Sequence, residues 1–201
     1  MLKASDRSIV VAGAGSIGCF VGGMLAAAGR NVTLLARRRV IDEIQTNGLH
    51  LTSLDGDDRR VASSVIGLTE DPAAMADAKI VLVTVKSLDT AAMADLIAVH
   101  APADAVIISL QNGVDNVPLL RKRLPGWHVL AGMVPFNVVS QGGGHVHRAT
   151  SGDIVLERDD ADTAAQLSVP GLAMASSDQM MNVQWGKLLF NLNNAINALS
   201  N

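Results

Sequence analysis

The sequence predicts an α/β fold with a Rossmann-like, doubly wound, mostly parallel sheet, followed by one long helix. Short apolar runs alternate with longer stretches of helical character over most of the 201 residues. The first run, residues 9–12, leads directly into a glycine-rich turn, and a second run at residues 31–35 follows one helix later. This order of strand, turn, helix and strand is the opening unit of nucleotide-binding α/β domains.

The glycine-rich turn has the sequence Gly13-Ala14-Gly15-Ser16-Ile17-Gly18. Gly13 permits the tight turn, Gly15 lets the backbone approach a diphosphate, and Gly18 lets the following helix pack against the strand. That helix is predicted at residues 16–28, and the N–H groups at its start attract an anion. We therefore predict a Rossmann-like domain in which the six residues of this turn bind a dinucleotide. A purely structural glycine turn is the alternative.

Residues 9–29 also fit a membrane or export segment. The stretch has no charged residue and is long enough to span a bilayer, with a small-xxx-small pair at Gly18 and Gly22. Residues 26–28, three alanines, resemble a signal-peptidase site. Six glycines in the stretch, and the strands and helices that alternate after it, favour the soluble α/β domain instead.

Composition narrows the class of protein further. Hydrophobic residues make up 49% of the chain, so a sizeable core can form, whereas aromatic residues make up only 2%. Scarce aromatics and a net charge of −3 argue against nucleic-acid binding. The single cysteine, Cys19, is expected to be a buried apolar residue in a reducing compartment. With no export signal assigned, the expected location is the cytoplasm.

Three arginines, Arg37, Arg38 and Arg39, follow the second strand, where the adenosine ribose of a dinucleotide meets the sheet. An acidic residue there binds the 2′-hydroxyl of NAD, whereas an arginine suits the 2′-phosphate of NADP. The sequence therefore favours NADP(H), with Arg37, the arginine nearest the strand, as the ligand. Arg38 and Arg39 also fit a solvated helix start.

The remaining elements are predicted from periodicity and from capping and turn residues. Strands are predicted at residues 49–53, 59–63, 80–85, 104–110 and 127–134, with an extended stretch at 136–140. Helices are predicted at residues 40–47, 88–98, 115–124 and 179–200, with a short helix that begins at Asp71 and Pro72. The strands at 49–53 and 59–63 are expected to form a hairpin that is too polar to join the core. Residues 151–156 are expected to form a hairpin with a strand at 145–147.

Polar side chains stand at the carboxyl ends of two buried strands, the edge at which open parallel sheets bind ligands. Lys86 is placed to contact a cofactor phosphate or ribose, or the substrate, and Asn112 to hydrogen-bond a carboxamide or a substrate oxygen. A lysine that extends into solvent and a plain Asn-Gly turn are the alternatives. His145 and His147 share one face of a strand, but no third ligand has suitable spacing, so a solvent-facing strand without metal is predicted.

In the last helix, Lys187, Asn191 and Asn194 are spaced i, i+4 and i+7 and share one face. Solvated helix faces usually carry charges rather than asparagines. We therefore predict that these three side chains line a polar cleft.

Together these motifs resemble the ketopantoate reductase family. The matches are the glycine turn, Val85-Lys86, Gln111-Asn112-Gly113 and Trp185-Gly186-Lys187-Leu188-Leu189-Phe190-Asn191. The last motif is the specific one, since many dehydrogenases share the first. The resemblance runs through the whole chain and implies reduction of 2-dehydropantoate to (R)-pantoate with NADPH, in pantothenate and coenzyme A biosynthesis.

The resemblance also implies a role for each matching residue. Lys187 is the general acid that protonates the developing alkoxide, and Asn191 binds substrate. Asn112 contacts both nicotinamide and substrate, and Lys86 contacts the cofactor. The extended stretch near Val138 supplies a backbone contact to the nicotinamide. A lysine ammonium that stabilises and protonates the oxygen is also what hydride transfer to a ketone requires.

The sequence departs from the family pattern in two places. The family's second substrate asparagine falls here on Ala195, and Asn194 or Asn197 is its replacement, with Asn194 on the face of Lys187. The family continues with a helical domain that supplies a serine and a glutamate. The chain is therefore expected to comprise an NADP-binding domain, residues 1–175, and the first helix of an incomplete helical substrate domain, residues 176–201.

Three functions remain open on the sequence: an NADPH-dependent ketopantoate reductase, a non-catalytic NADP-binding module, and a related reductase of another small 2-oxoacid or ketone. The expected partner is a small-molecule 2-oxoacid, with neither nucleic acid nor membrane. A homodimer is left open.

Overall fold

The structure is a computed structural model that describes residues 8–199, with the side chains of residue 191 and residues 193–199 outside the described part. Within it, the strands are β1 (Ile9–Ala12), β2 (Val32–Leu35), β3 (Leu49–Ser53), β4 (Asp58–Val61), β5 (Gly67–Thr69), β6 (Ile80–Val83), β7 (Val106–Ser109), β8 (His128–Met133), β9 (Val138–Gly142), β10 (His145–Arg148), β11 (Ile154–Glu157) and β12 (Met174–Ser177). The α-helices are α1 (Ser16–Ala27), α2 (Arg38–Asn47), α3 (Thr90–His100), α4 (Asn116–Arg123), α5 (Thr163–Leu167) and α6 (Met180–Leu199). Short 3-10 helices lie at Ser63–Val65, Pro72–Met75 and Ser87–Asp89.

The main sheet confirms the predicted doubly wound α/β fold. Its strand order is β12-β11-β8-β7-β6-β1-β2-β5, and every pairing except that of β11 with β8 is parallel. Alternate residues of β1 pack on opposite faces of the sheet, each face with its own hydrophobic core. Ile9 and Val11 pack with α1, whereas Val10 and Ala12 pack with α3 and α4. Helices thus cover both faces, which explains the continuous apolar runs of the central strands. The strand order reverses beside β1, and ligands of such sheets bind there.

The expectation that the hairpin at residues 49–63 is too polar for the core is wrong. Its strands β3 and β4 belong to a second sheet with the order β4-β3-β10-β9, which packs against α1. Leu49, Leu51 and Val61 on its inner face are at most 3% exposed. Polar residues that point outward alternate with these apolar ones, so the segment as a whole looks too polar for a core although one of its faces is buried. Helix α1 therefore lies between two sheets, and nine of its twelve residues are buried.

The predicted hairpin between residues 151–156 and the strand at 145–147 is also wrong. β10 pairs with β9 and β3 in the second sheet, whereas β11 pairs with β8 and β12 in the main sheet. Ile154 and Leu156 are fully buried in the main core, and a solvent-facing hairpin would not bury them.

The two histidines of β10 lie on its outward face, as predicted. β3 brings His50 opposite His145, with ring centroids 4.2 Å apart, and Thr52 opposite His147. Thr52 Oγ1 lies 2.9 Å from His145 Nε2 and 2.8 Å from His147 Nδ1. In the described part of the chain, no three His, Cys, Asp or Glu side chains are arranged to hold a metal ion.

Residues 9–29 form β1, the glycine turn and α1 at the centre of the molecule, so the membrane or export interpretation of this stretch is wrong. Among residues 8–199, no helix combines the length and apolar character needed to cross a bilayer. Cys19 is buried in α1, as predicted, and burial raises the pKa of its thiol to about 12.

The turn between β9 and β10 yields a stability prediction. Gly144 has a φ of +79°, and a Cβ built on it would overlap the carbonyl oxygen of Gly48. We expect Gly144→Ala to lower the free energy of unfolding by about 3 kcal/mol, from backbone strain plus this overlap. Gly126→Ala is the matched control, since its φ is +97° but no atom lies within 4 Å. Denaturant unfolding measures the free energy of unfolding of both variants. Equal losses of stability would contradict the predicted contribution of the overlap.

Candidate active site

The glycine turn lies at the carboxyl end of β1, between β2 and β6. Gly13, with a φ of +106°, makes the turn, and Thr84 Oγ1 donates a hydrogen bond of 2.6 Å to its carbonyl oxygen. A Cβ on Gly18 would lie 2.6 Å from that oxygen and 2.8 Å from Thr84 Oγ1. Helix α1 therefore packs directly on the turn, which requires a glycine at this position.

Gly15 faces open space. No heavy atom lies within 4 Å of a Cβ built there, and its φ of −80° is ordinary for any residue. Gly15 is the N-cap of α1, and no side chain caps the helix. The first N–H groups of α1 are therefore available to an anion that approaches over Gly15.

A cavity of about 480 Å³ extends over the turn. Its floor includes Gly13, Ala14 and Gly15, and its walls carry both charges and apolar side chains. The charged wall residues are Arg37, Arg39, Lys86, Glu70 and Asp89. An open glycine floor at a helix N-terminus, with three cations in the walls, fits the diphosphate of a nicotinamide dinucleotide. The glycine turn and the three cations are therefore suited to hold a nicotinamide cofactor.

The three arginines after β2 differ in their contacts and in their position relative to the cavity. Arg37 is the exposed N-cap of α2 and lines the cavity. Arg38 forms an ion pair of 2.9 Å with Asp42 and is not part of the cavity wall. Arg39 is exposed and forms an i,i+4 ion pair with Glu43, as a solvated helix start predicts, and it also lines the cavity.

Lys187 and Asn112 meet at the carboxyl end of β7, although 75 residues separate them in sequence. Lys187 Nζ donates a hydrogen bond of 2.7 Å to Asn112 Oδ1 and another to the carbonyl oxygen of Val134. The lysine is half-buried, and this burial lowers the pKa of its ammonium group below the usual 10.5. A small cavity of about 40 Å³ adjoins this pair and is also lined by Gly132 and Gln184.

A buried hydrogen-bond network holds the loop that carries Asn112. Gln111 Nε2 donates to the carbonyl oxygen of Val85 at 3.0 Å and to Thr90 Oγ1 at 2.7 Å. Thr90 in turn donates to Asn116 Oδ1 at 2.9 Å, and Asn116 Nδ2 donates to the backbone oxygen of Asn112 at 2.7 Å. The network joins the ends of two strands to the starts of two helices and thereby fixes the position of Asn112.

Sequence reasoning missed several residues of the site. Thr90 and Asn116 were missed, although a Thr or Asn at the first position of a helix is a usable signal for side-chain hydrogen bonding. Glu70 was missed because β5, with the sequence Gly-Leu-Thr, carries no strand pattern.

Other predicted site residues lie apart from the Lys187 pair. Lys86 is exposed at the end of β6 and lines the large cavity. Val138 is half-buried at the start of β9 and is not among the residues that line either cavity. The side chains of Asn191 and Asn194, predicted as substrate ligands, lie outside the described part of the chain.

Comparison with known proteins gives a consistent result. Residues 9–160 match the family model described as "Ketopantoate reductase PanE/ApbA". The 2-dehydropantoate 2-reductase of Halobacterium salinarum is 33% identical over 201 residues, a match that covers 96% of this chain and 65% of that protein.

Solved structures resemble the chain along nearly its whole length. A PanE/ApbA family ketopantoate reductase from Ralstonia eutropha JMP134 is 35% identical, with a TM-score of 0.83, and the match covers 92% of this chain and 61% of the other. A 2-dehydropantoate 2-reductase from Geobacter metallireducens GS-15 is 26% identical, with a TM-score of 0.82 and coverage of 92% and 62%. The chain thus spans slightly less than two thirds of the length of these relatives.

Proposed function

This chain belongs to the ketopantoate reductase family, and on that premise we propose that it binds NADP(H) and carries the proton donor for reduction of 2-dehydropantoate to (R)-pantoate. The observation that carries the proposal is the hydrogen bond between Lys187 and Asn112. It holds an ammonium group at the same sheet edge as the glycine turn, where a cofactor and a small substrate can meet.

The cofactor, when bound, supplies the hydride. The first N–H groups of α1, together with Lys86, would hold its diphosphate, and Arg37 would hold its 2′-phosphate. Asn112 orients the nicotinamide and the substrate, and the backbone near Val138 contributes a further contact to the nicotinamide.

Lys187 delivers the proton. Its ammonium group has three N–H donors, and Asn112 Oδ1 and the Val134 oxygen accept two of them. Among the described side chains the third donor has no acceptor, and it can bond to the ketone oxygen, which gains negative charge during reduction. The lowered pKa makes this proton easier to transfer at neutral pH. Asn191 and Asn194 are proposed to bind the substrate from the same helix.

The direct test is NADPH oxidation with 2-dehydropantoate as substrate, compared with other small 2-oxoacids. Preferential turnover of another 2-oxoacid would indicate a related reductase. Binding of NADPH without turnover of any of them would indicate a non-catalytic NADP-binding module. One observation favours the non-catalytic module: Trp185, Leu189 and Phe190, on the helix that carries Lys187, are 47%, 63% and 70% exposed. The described residues therefore leave apolar surface of α6 uncovered.

The proposed role of Arg37 gives a binding prediction. We expect Arg37→Ala to weaken NADPH binding about tenfold and to leave NADH binding nearly unchanged, because the 2′-phosphate is the only group that differs. Titration calorimetry with each cofactor measures the effect. Arg38→Ala is the control, since Arg38 pairs with Asp42 and is not part of the cavity wall. Equal affinity of the unmodified chain for the two cofactors would contradict the assignment.

A further inference from the structure

The carboxyl ends of β2 and β5 lie side by side at one end of the large cavity. The two strands are parallel with Leu35 opposite Thr69, and Ala36 N donates a hydrogen bond of 2.9 Å to the Thr69 oxygen. Arg37 and Glu70, which follow these residues in sequence, consequently stand at the same edge, and both line the cavity.

The carboxylate of Glu70 occupies the start of helix α2. Its Oε1 accepts a hydrogen bond of 3.0 Å from Arg38 N, the first amide of that helix. Unpaired amides at a helix start attract anions, including phosphate. Glu70 therefore takes a donor that a phosphate beside Arg37 would otherwise use, and it adds negative charge to a basic wall.

NADPH and NADH differ only in the 2′ substituent of the adenosine ribose. A 2′-phosphate beside Arg37 meets the negative charge of Glu70 and finds the first amide of α2 already paired. A 2′-hydroxyl instead donates to a carboxylate, which is the contact that acidic residues make in NAD-binding α/β domains. In those domains the acidic residue follows the second strand. Here Ala36 and Arg37 follow it, and the carboxylate comes from the neighbouring strand.

We propose that Glu70 is a second specificity-determining residue of the cavity, which opposes Arg37 by weakening the binding of a 2′-phosphate and favouring a free 2′-hydroxyl. The inference rests on the proposed binding of NADP(H). It assigns the cofactor preference to the balance of two opposite charges at the ends of β2 and β5.

The test is the ratio of the dissociation constants for NADH and NADPH, measured by calorimetry on the unmodified chain and on two variants. Glu70→Gln removes the charge and keeps an acceptor for Arg38 N, and we expect the ratio to shift toward NADPH about fivefold. Glu70→Ala also frees the amide for the phosphate, so its shift is expected to be larger, about tenfold. Thermal melts confirm that the variants remain folded.

Asp89→Asn is the matched control, because Asp89 lines the same cavity but lies in the 3-10 helix after β6. We expect it to leave the ratio unchanged. If the Glu70 variants bind both cofactors with an unchanged ratio, this inference is overturned and the proposed function is not. The same holds if Asp89→Asn shifts the ratio as much as the Glu70 variants do. Failure of the unmodified chain to bind either cofactor would overturn the proposed function and this inference with it.

Discussion

Lys187→Ala is expected to lower the reductase kcat about 10³-fold and to leave NADPH binding within about twofold, since a positioned proton donor contributes on this scale. The substitution removes the ammonium group that faces Asn112 Oδ1 and the Val134 oxygen. It touches no residue of the glycine turn, so the diphosphate site stays intact. Steady-state kinetics and calorimetric titration measure the two effects separately.

Lys122→Ala, on the exposed part of α4, is the matched control and is expected to have the unmodified activity. Full turnover in Lys187→Ala would exclude the acid role. A parallel loss of NADPH binding would instead make Lys187 a cofactor ligand.

The pH profile of kcat gives a second measurement of the same role. A general acid must be protonated, so turnover falls as the pH rises through the pKa of Lys187. Because burial lowers this pKa below the usual 10.5, the fall is expected at a lower pH than an exposed lysine would give. Any residual activity of Lys187→Ala is expected to lack this fall.

Gly15→Ala is expected to fold normally and to bind NADPH at least about 100-fold more weakly, a loss of about 2.7 kcal/mol. The added Cβ meets no protein atom within 4 Å, and the φ of −80° suits alanine, so the free energy of unfolding is expected to change little. The methyl group instead occupies the space through which the diphosphate reaches the amides of α1.

Gly18→Ala is the informative comparison for that variant. Its Cβ would lie 2.6 Å from the Gly13 oxygen, so the cost is expected in the free energy of unfolding, at about 2–3 kcal/mol. Denaturant unfolding and NADPH titration of both variants separate the two kinds of loss. A Gly15→Ala protein that binds NADPH normally would contradict the assignment of the turn.

Much of the main sheet could be predicted from sequence, because its central strands are short apolar runs next to clear turn signals. β1 and β6 are buried at every position, and the glycine turn fixes the direction of the chain after β1. Asn112 at a strand end and Lys187 on a polar helix face were each predicted as site residues, from their positions and from the family resemblance, whereas the hydrogen bond between them was not predicted.

The elements that were missed lack such local signals. β5 and β12 are short and contain few β-branched residues, so they become strands only because β2 and β11 present open edges to them. The pairing of β10 with β3 joins segments more than ninety residues apart, as the contact of Thr52 with His145 shows. The position of Glu70 depends on β5 and was missed for the same reason.

The placement of α1 between two sheets has a consequence for ligand affinity. A helix with sheet on both sides has little freedom to tilt or shift, so its first amides hold their direction before any ligand arrives. The entropy of aligning those donors is lost when the chain folds, and an incoming anion need not supply it. The second sheet, although it contributes nothing to the lining of the large cavity, is thereby expected to act as a rigid backing for the proposed phosphate site.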